Sequence, residues 1–426
     1  ARIFPENVIL NCAESAPVPP VGDSMVGHCW GDVYHDNTVT WLAFFKDTIN
    51  DQFKYMYLAA QSKFKGMQDF LKYEKARKLK DYVGTIRANY TDKMKVNDSM
   101  EKQLGTATYL IDFLALRVGG EKDTDEEADT VGCCSLRVEH ITFKEEKDEI
   151  QLDFLGKDSI RYFNTVKDLE IDHQAFKNMQ LFCKGKKPEA DVFDKINSVA
   201  LNAYLKELMN DLTAKVFRTY NASITLQQQL CGIETSSIDK SNPNALLQFY
   251  NDANREVAIL CNHQRSIPKQ HEASMEKLNK QLELLEEDIR ECQEYLHHLK
   301  LGKKQKFKFQ SECVVRILFT LNGFHPACLD MDQNPRKSLI REGMKDSICK
   351  NKLTQFQKRK NNLELKIRTK DDNKTVSLGT SKINYMDPRI TVAFCKKHEI
   401  NIEKCFNRSL RLKFPWAMFA KSDFEF

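Results

Sequence analysis

Five residues in five separate segments have types that together suit one reaction: transfer of a phosphodiester to a tyrosine. Tyr385 lies in Ser381-Lys382-Ile383-Asn384-Tyr385-Met386-Asp387-Pro388-Arg389. Asp387 reads as a helix N-cap and Pro388 as the first helical residue, with Ile390, Ala393, Phe394 and Lys397 following at helical spacing. An exposed phenol there would sit at the positive end of a helix, where phosphate is welcome. An aryl phosphodiester stays reactive enough to reverse, so tyrosine suits a break that must later be resealed. Arg117, in Leu114-Ala115-Leu116-Arg117-Val118-Gly119, and Arg218, in Val216-Phe217-Arg218-Thr219-Tyr220-Asn221, offer paired donors for non-bridging oxygens. His263, in Leu260-Cys261-Asn262-His263-Gln264-Arg265, adds a third contact as a protonated or donor ring. Lys157, in Leu155-Gly156-Lys157-Asp158-Ser159, suits a general acid for a departing sugar oxygen. Phenols titrate near about 10, so cationic neighbours help. The chemistry calls for no metal or nucleotide, and the sequence carries neither a P-loop nor an acidic metal cluster.

Each residue also has a plainer use. Arg117 would serve as a dipole partner at a helix end, and Lys157 as a solvated turn residue. Arg218 would form a structural ion pair, His263 a cap or a core contact, and Tyr385 an amphipathic packing residue. Periodicity cannot bring the five together in space.

The elements that must position them are legible in outline. Residues 1–60 read as strand-rich, with β-prone runs at 38–45 and 55–58 and a Pro17–Pro20 loop. Residues 64–117 read as helical, with Leu110, Phe113, Leu114 and Arg117 on one face. Three antiparallel strands are expected at 136–141, 150–154 and 160–163, the last two joined by a tight turn with Lys157 at its tip. Cys133 and Cys134 are assigned to a strand as buried thiols. Helices are expected at 190–213, 223–231 and 243–261, the last opened by Asn242-Pro243. Met275, Leu278, Leu282, Leu285, Ile289, Cys292, Leu296 and Leu299 form a heptad stripe. Leu353, Phe356, Leu363 and Ile367 supply a return arm, which predicts an antiparallel coiled-coil hairpin. Residues 302–350 break the heptads.

With 426 residues the chain has room for two or three domains. Its net charge of +5 does not by itself mark a nucleic-acid binder. No apolar run reaches the roughly 18 residues of a membrane span; Cys313–Leu321 is too short and carries Arg316. Thirteen cysteines without paired CxxC spacing point to free thiols in a reducing compartment rather than to zinc. The chain begins at Ala1 with no signal peptide, and is expected to be part of something longer.

The Tyr385 nonapeptide, the four segments around Arg117, Lys157, Arg218 and His263, and the string Ala128-Asp129-Thr130-Val131-Gly132-Cys133-Cys134-Ser135-Leu136-Arg137-Val138-Glu139-His140 resemble eukaryotic type IB DNA topoisomerases. The resemblance covers nearly the whole chain apart from 302–350. It implies an α+β fold, mostly α: a helical catalytic domain with a small antiparallel sheet, a coiled-coil linker hairpin and a small helical C-terminal domain. The implied divisions are 1–62, a strand-rich remnant of the upper clamp lobe; 63–265, the catalytic core; 266–372, the linker with an atypical insertion near 302–350; and 373–426, the tyrosine-bearing domain.

By that resemblance Tyr385 is the nucleophile, Arg117, Arg218 and His263 bind the scissile phosphate, and Lys157 protonates the 5′ oxygen. The implied activity relaxes supercoiled DNA through a 3′-phosphotyrosyl link, strand rotation and religation, without cofactor, ATP or metal. Lys122, Thr130 and Lys54 match DNA-backbone contacts, and Asp158 and Asn384 match the camptothecin site. The implied partner is double-stranded DNA, the chain monomeric, the compartment the nucleus or alternatively the mitochondrion. Three departures stand out: most of the upper clamp lobe is missing, Gly120 replaces a usual Asn, and 302–350 interrupts the linker. A tyrosine recombinase and a weakly active or inactive DNA-binding fragment are the competing readings.

Overall fold

The computed structural model describes residues 3–120, 128–144, 149–167, 171–301, 340 and 344–426. The expected mostly helical α+β fold is what the chain adopts. Its first part is a four-stranded sheet of β1 (Val8–Asn11), β2 (Asp32–Tyr34), β3 (Trp41–Lys46) and β4 (Phe53–Tyr57), in the order β2-β1-β3-β4. β1 and β2 run parallel, and the other pairs are antiparallel. A register shift between Trp41 and Ala43 lets Trp41 and Phe44 meet edge to face at 4.9 Å, with Tyr55 beside them.

The main core begins with α1 (Lys63–Lys95), about 50 Å long at helical rise. Tyr73, Ala76, Leu79, Val83, Ile86, Tyr90 and Met94 recur at steps of three and four and are all buried. The expected helical run at 64–117 is two helices. It breaks between Lys95 and Ser99, where Asp98 caps α2 (Ser99–Phe113) by accepting from Glu101 N at 2.8 Å.

A three-stranded antiparallel sheet follows: β5 (Ile141–Lys144), β6 (Glu149–Leu155) and β7 (Arg161–Val166). The expected strand at 136–141 is largely absent, because Cys133–Ser135 and Val138–His140 are 3₁₀ turns. Cys133 and Cys134 are buried free thiols as expected, but not in a strand. The remaining core helices are α3 (His173–Cys183), α4 (Ser198–Leu208), α5 (Ala214–Cys231) and α6 (Pro243–Leu260). α4 is shorter than the expected 190–213 because Asn197 caps it. α5 starts nine residues before the expected 223, and α6 opens on the Asn242-Pro243 cap as read.

α7 (His271–Lys300) and α8 (Asp346–Asp372) pack as the expected hairpin. Leu278, Ile289 and Cys292 of the heptad stripe are buried, whereas Leu299 is exposed and Tyr295 takes the last core position. Most of the atypical 302–350 segment lies outside the described residues. At the open end of the hairpin, Arg265 N donates to Thr375 O at 2.9 Å and Ser377 N to His263 O at 2.7 Å. These bonds join the hairpin to α9 (Leu378–Asn384), α10 (Pro388–Lys397) and α11 (Arg408–Lys413). Among the described residues, no helix is long and apolar enough to cross a membrane.

Candidate active site

Arg117 is not on a helix: α2 ends at Phe113, and Ala115 turns the chain with φ near +48°. The 3₁₀ turn after Gly132 grips this loop, with Cys133 N donating to Arg117 O at 2.8 Å and Cys134 N to Val118 O at 2.7 Å. That grip needs glycine. A Cβ on Gly132 would lie 2.4 Å from Gly119 N, and Gly119 itself has φ +78°. Gly120, which the resemblance would have as Asn, faces open space.

Lys157 projects from the β6–β7 turn and is exposed. Gly156 N donates to Ile160 O at 2.8 Å, and Asp158 and Ser159 both take left-handed conformations. Val131 N, bonded to Leu155 O at 2.8 Å, ties the hairpin to the Arg117 loop. Arg218 sits in the buried first half of α5. Among the described residues it forms no ion pair; it donates to Ala115 O at 3.1 Å and to Cys261 O, and so holds the ends of α2 and α6 together. Its Nε is buried with no partner among the described residues. His263 follows α6, with Asn262 at φ +50° turning it back so that His263 N reaches Ala258 O at 2.8 Å.

Tyr385 lies between α9 and α10. Asp387 caps α10 as read, accepting from Arg389 N at 2.9 Å. The phenol is buried rather than exposed, since α5 and the α6 end close over it. Ser223 staples the segment: its hydroxyl donates to Tyr385 O at 3.1 Å and accepts from Asp387 N at 3.0 Å.

Four of the five residues meet Tyr385 or one another. Arg117 Nη1 donates to the Tyr385 hydroxyl at 3.1 Å. The Arg218 guanidinium lies 5.0 Å from the centre of the phenol ring. The His263 ring stacks on it at 5.3 Å, 23° from parallel. Arg117, Lys157, Arg218 and His263 all line one cavity of about 150 Å³. Burial, then the guanidinium groups of Arg218 and Arg117, push the His263 imidazole down to about 3. The ring is therefore neutral near pH 7, which removes the protonated option. Its Nδ1 is 2.7 Å from Ser381 Oγ, and its Nε2 is buried without a partner among the described residues. Two guanidinium groups, an ammonium and a neutral imidazole around a phenol make a site suited to a phosphate anion.

Asp158 lines the same cavity, and Asn384 is exposed at the end of α9, beside Tyr385. Thr130 lines a second cavity of about 440 Å³, and Lys54 is half-buried on β4 in the first sheet. Lys122 lies outside the described residues. The sequence reading missed Ser223 and Ser381. Ser381 stood inside the Tyr385 nonapeptide, one helical turn before the tyrosine, and that spacing was its only signal.

A mostly helical scaffold whose cleft gathers a tyrosine, two guanidinium groups, a lysine and an imidazole has the makeup of a phosphoryl-transfer site. The family model described as eukaryotic DNA topoisomerase I, catalytic core, matches residues 61–296; the DNA binding fragment of the same family matches 1–58, and the C-terminal topoisomerase domain 357–426. DNA topoisomerase 1 of Homo sapiens is 43% identical over 430 residues, with 100% of this chain and 51% of the relative covered. DNA topoisomerase 1 beta of Arabidopsis thaliana is 45% identical, with 100% and 42% covered. DNA topoisomerase 1 of Schizosaccharomyces pombe is 40% identical, with 100% and 56% covered. The chain belongs to the eukaryotic DNA topoisomerase I family, and it spans about half the length of these relatives.

Proposed function

We propose that this chain carries a type IB topoisomerase activity: it breaks one strand of duplex DNA at Tyr385, allows rotation about the intact strand, and reseals the break. In the first step the Tyr385 oxygen bonds to phosphorus and the P–O5′ bond breaks. The phenolic proton leaves to solvent, and Lys157 delivers a proton to the 5′ oxygen. Arg117, Arg218 and the His263 Nε2–H hold the non-bridging oxygens as charge gathers on them. Resealing runs the same steps backwards, so the ester bond energy is kept and neither ATP nor metal has a step to serve. Lys54, Thr130 and Lys122 are assigned to the DNA backbone, and Asp158 and Asn384 to the edge of the cleft where camptothecin would lodge.

The observation that carries this reading is the Arg117 hydrogen bond to the Tyr385 hydroxyl at 3.1 Å, across 268 residues of sequence. A guanidinium donating to the phenol oxygen fixes where that oxygen points and puts a phosphate-binding cation beside it. The test is relaxation of supercoiled plasmid in EDTA without ATP. Wild type should relax it and leave a covalent adduct on the 3′ side of the break, mapped to Tyr385; Tyr385→Phe should do neither. Equal band patterns for the two would sink the catalytic reading in favour of an inactive DNA-binding fragment.

A further inference from the structure

His263 is neutral, so it carries one ring proton, and its usefulness to an anion depends on which nitrogen holds that proton. With hydrogen on Nε2, the buried and unpartnered atom is a donor. With hydrogen on Nδ1, the same Nε2 presents a lone pair that repels phosphate oxygen. The histidine cannot settle this alone; the group bonded to Nδ1 does.

That group is Ser381, which is wholly buried on α9. Its hydroxyl lies 2.7 Å from His263 Nδ1 and has no other hydrogen-bond partner among the described residues. A buried hydroxyl proton with one acceptor in reach goes to that acceptor. Nδ1 must then be the lone-pair nitrogen. The carbonyl of the same residue accepts from Tyr385 N at 2.9 Å and from Met386 N at 3.0 Å. One residue therefore fixes the backbone of the tyrosine through its carbonyl and the tautomer of the histidine through its hydroxyl. The stacking of His263 on Tyr385 at 5.3 Å keeps the two settings in register.

We propose that Ser381 is a positioning residue: by donating to His263 Nδ1 it locks the imidazole hydrogen on Nε2 and presents that N–H to an anionic oxygen in the cleft. The assignment deepens the reading of Tyr385 as nucleophile and rests on it for its catalytic meaning, but the tautomer is measurable without turnover.

The experiment is long-range proton–nitrogen correlation on the full chain with ¹⁵N-labelled histidine, the His263→Gln variant assigning the His263 signals. Wild type should show a bare Nδ1 and a protonated Nε2. Ser381→Ala should move both nitrogens toward intermediate shifts, and Ser381→Thr, which keeps the hydroxyl, should restore the wild-type pattern. Single-turnover cleavage of a nicked trap duplex should slow about tenfold in Ser381→Ala, short of the roughly hundredfold or greater loss on deleting a transition-state donor. Duplex affinity should stay unchanged, and Ser381→Thr should recover cleavage. A merely structural serine would not move the tautomer signals. Should alanine fail to fold, Ser381→Cys, a weaker donor of similar size, replaces it with an intermediate effect expected. A wild-type spectrum with the proton on Nδ1, or an alanine variant with unaltered spectrum and cleavage, overturns the proposal. Loss of the Tyr385→Phe contrast in plasmid relaxation instead overturns the catalytic reading and leaves the tautomer assignment measured on its own.

Discussion

An imidazole under two guanidinium groups behaves unlike a histidine in water. His263 titrates near 3 in the folded chain, whereas an unfolded histidine titrates near about 6.5. Between those values the unfolded chain binds the extra proton, so acid favours unfolding. The folded-state pKa is depressed, hence this contribution is intact above about 6.5 and is lost progressively as pH falls toward about 3. Urea midpoints of wild type and His263→Gln should therefore separate on acidification from pH 7 to pH 5. Wild type should lose more stability, by up to about 1.4 kcal/mol per pH unit below 6.5; a constant gap would mean the ring is protonated when folded. The cleavage rate has the complementary signature. Because the ring is neutral throughout, the ratio of wild-type to His263→Gln cleavage rates should stay flat from pH 6 to 9, with no step near 6.5. A step there would return His263 to the role of a charged contact.

Between Asp387 and Arg389 the chain builds the helix start that places Tyr385, and its stability rests on a buried ion cluster. Asp387 is wholly buried and pairs with Arg389 at 2.7 Å, and Arg389 also reaches Glu74 of α1 at 2.6 Å while lying against Phe424, Phe70 and Trp416. Asp387→Ala would strand a buried guanidinium and remove a cap at once. The expected loss is about 3 kcal/mol, the low end for breaking a buried pair because Glu74 remains. Glu403→Ala, which opens the 2.7 Å pair between the exposed Glu403 and the half-buried Arg411, should cost under about 1 kcal/mol. Urea unfolding of both variants decides this, and equal losses would show that the cluster is not stabilising. The cap itself was legible, because Asp-Pro before an apolar run is a local signal. Its partner Glu74 was not, since nothing local points to α1. The same division holds elsewhere. The Lys157 turn and the α6 cap were readable from neighbours a few residues away. Arg117 was misplaced onto a helix because the break at Ala115 is held by Arg218, and Tyr385 looked exposed because α5 covers it. Family resemblance named the five residues; long-range contacts show why Arg117, Arg218 and His263 gather on Tyr385, with Lys157 lining the same cavity.

At the scale of the whole molecule, the proposed DNA partner would have to be held by a chain of net charge +5 that spans about half the length of its relatives. Its cations act through position more than number. Lys157 stands exposed on the tip of the β6–β7 turn, Arg117 is exposed beside the same cleft, and Lys54 lies on a different sheet, with a 3.5 Å contact to Gln52. Each phosphate neutralised releases counterions, so log affinity should fall linearly with log salt at a slope of about −0.9 per contact. If Lys54 is one of these contacts, Lys54→Ala should weaken duplex binding equally for unrelated sequences and make the slope shallower by about one. It should leave the single-turnover cleavage rate at saturating DNA unchanged, because among the described residues none of the first sheet lines the Tyr385 cleft. Tyr385→Phe should do the reverse, abolishing cleavage with the slope intact. Fluorescence anisotropy of a labelled duplex between about 50 and 200 mM salt measures both. A Lys54→Ala slope equal to wild type would remove the first sheet from the DNA interface and leave binding to the catalytic face alone.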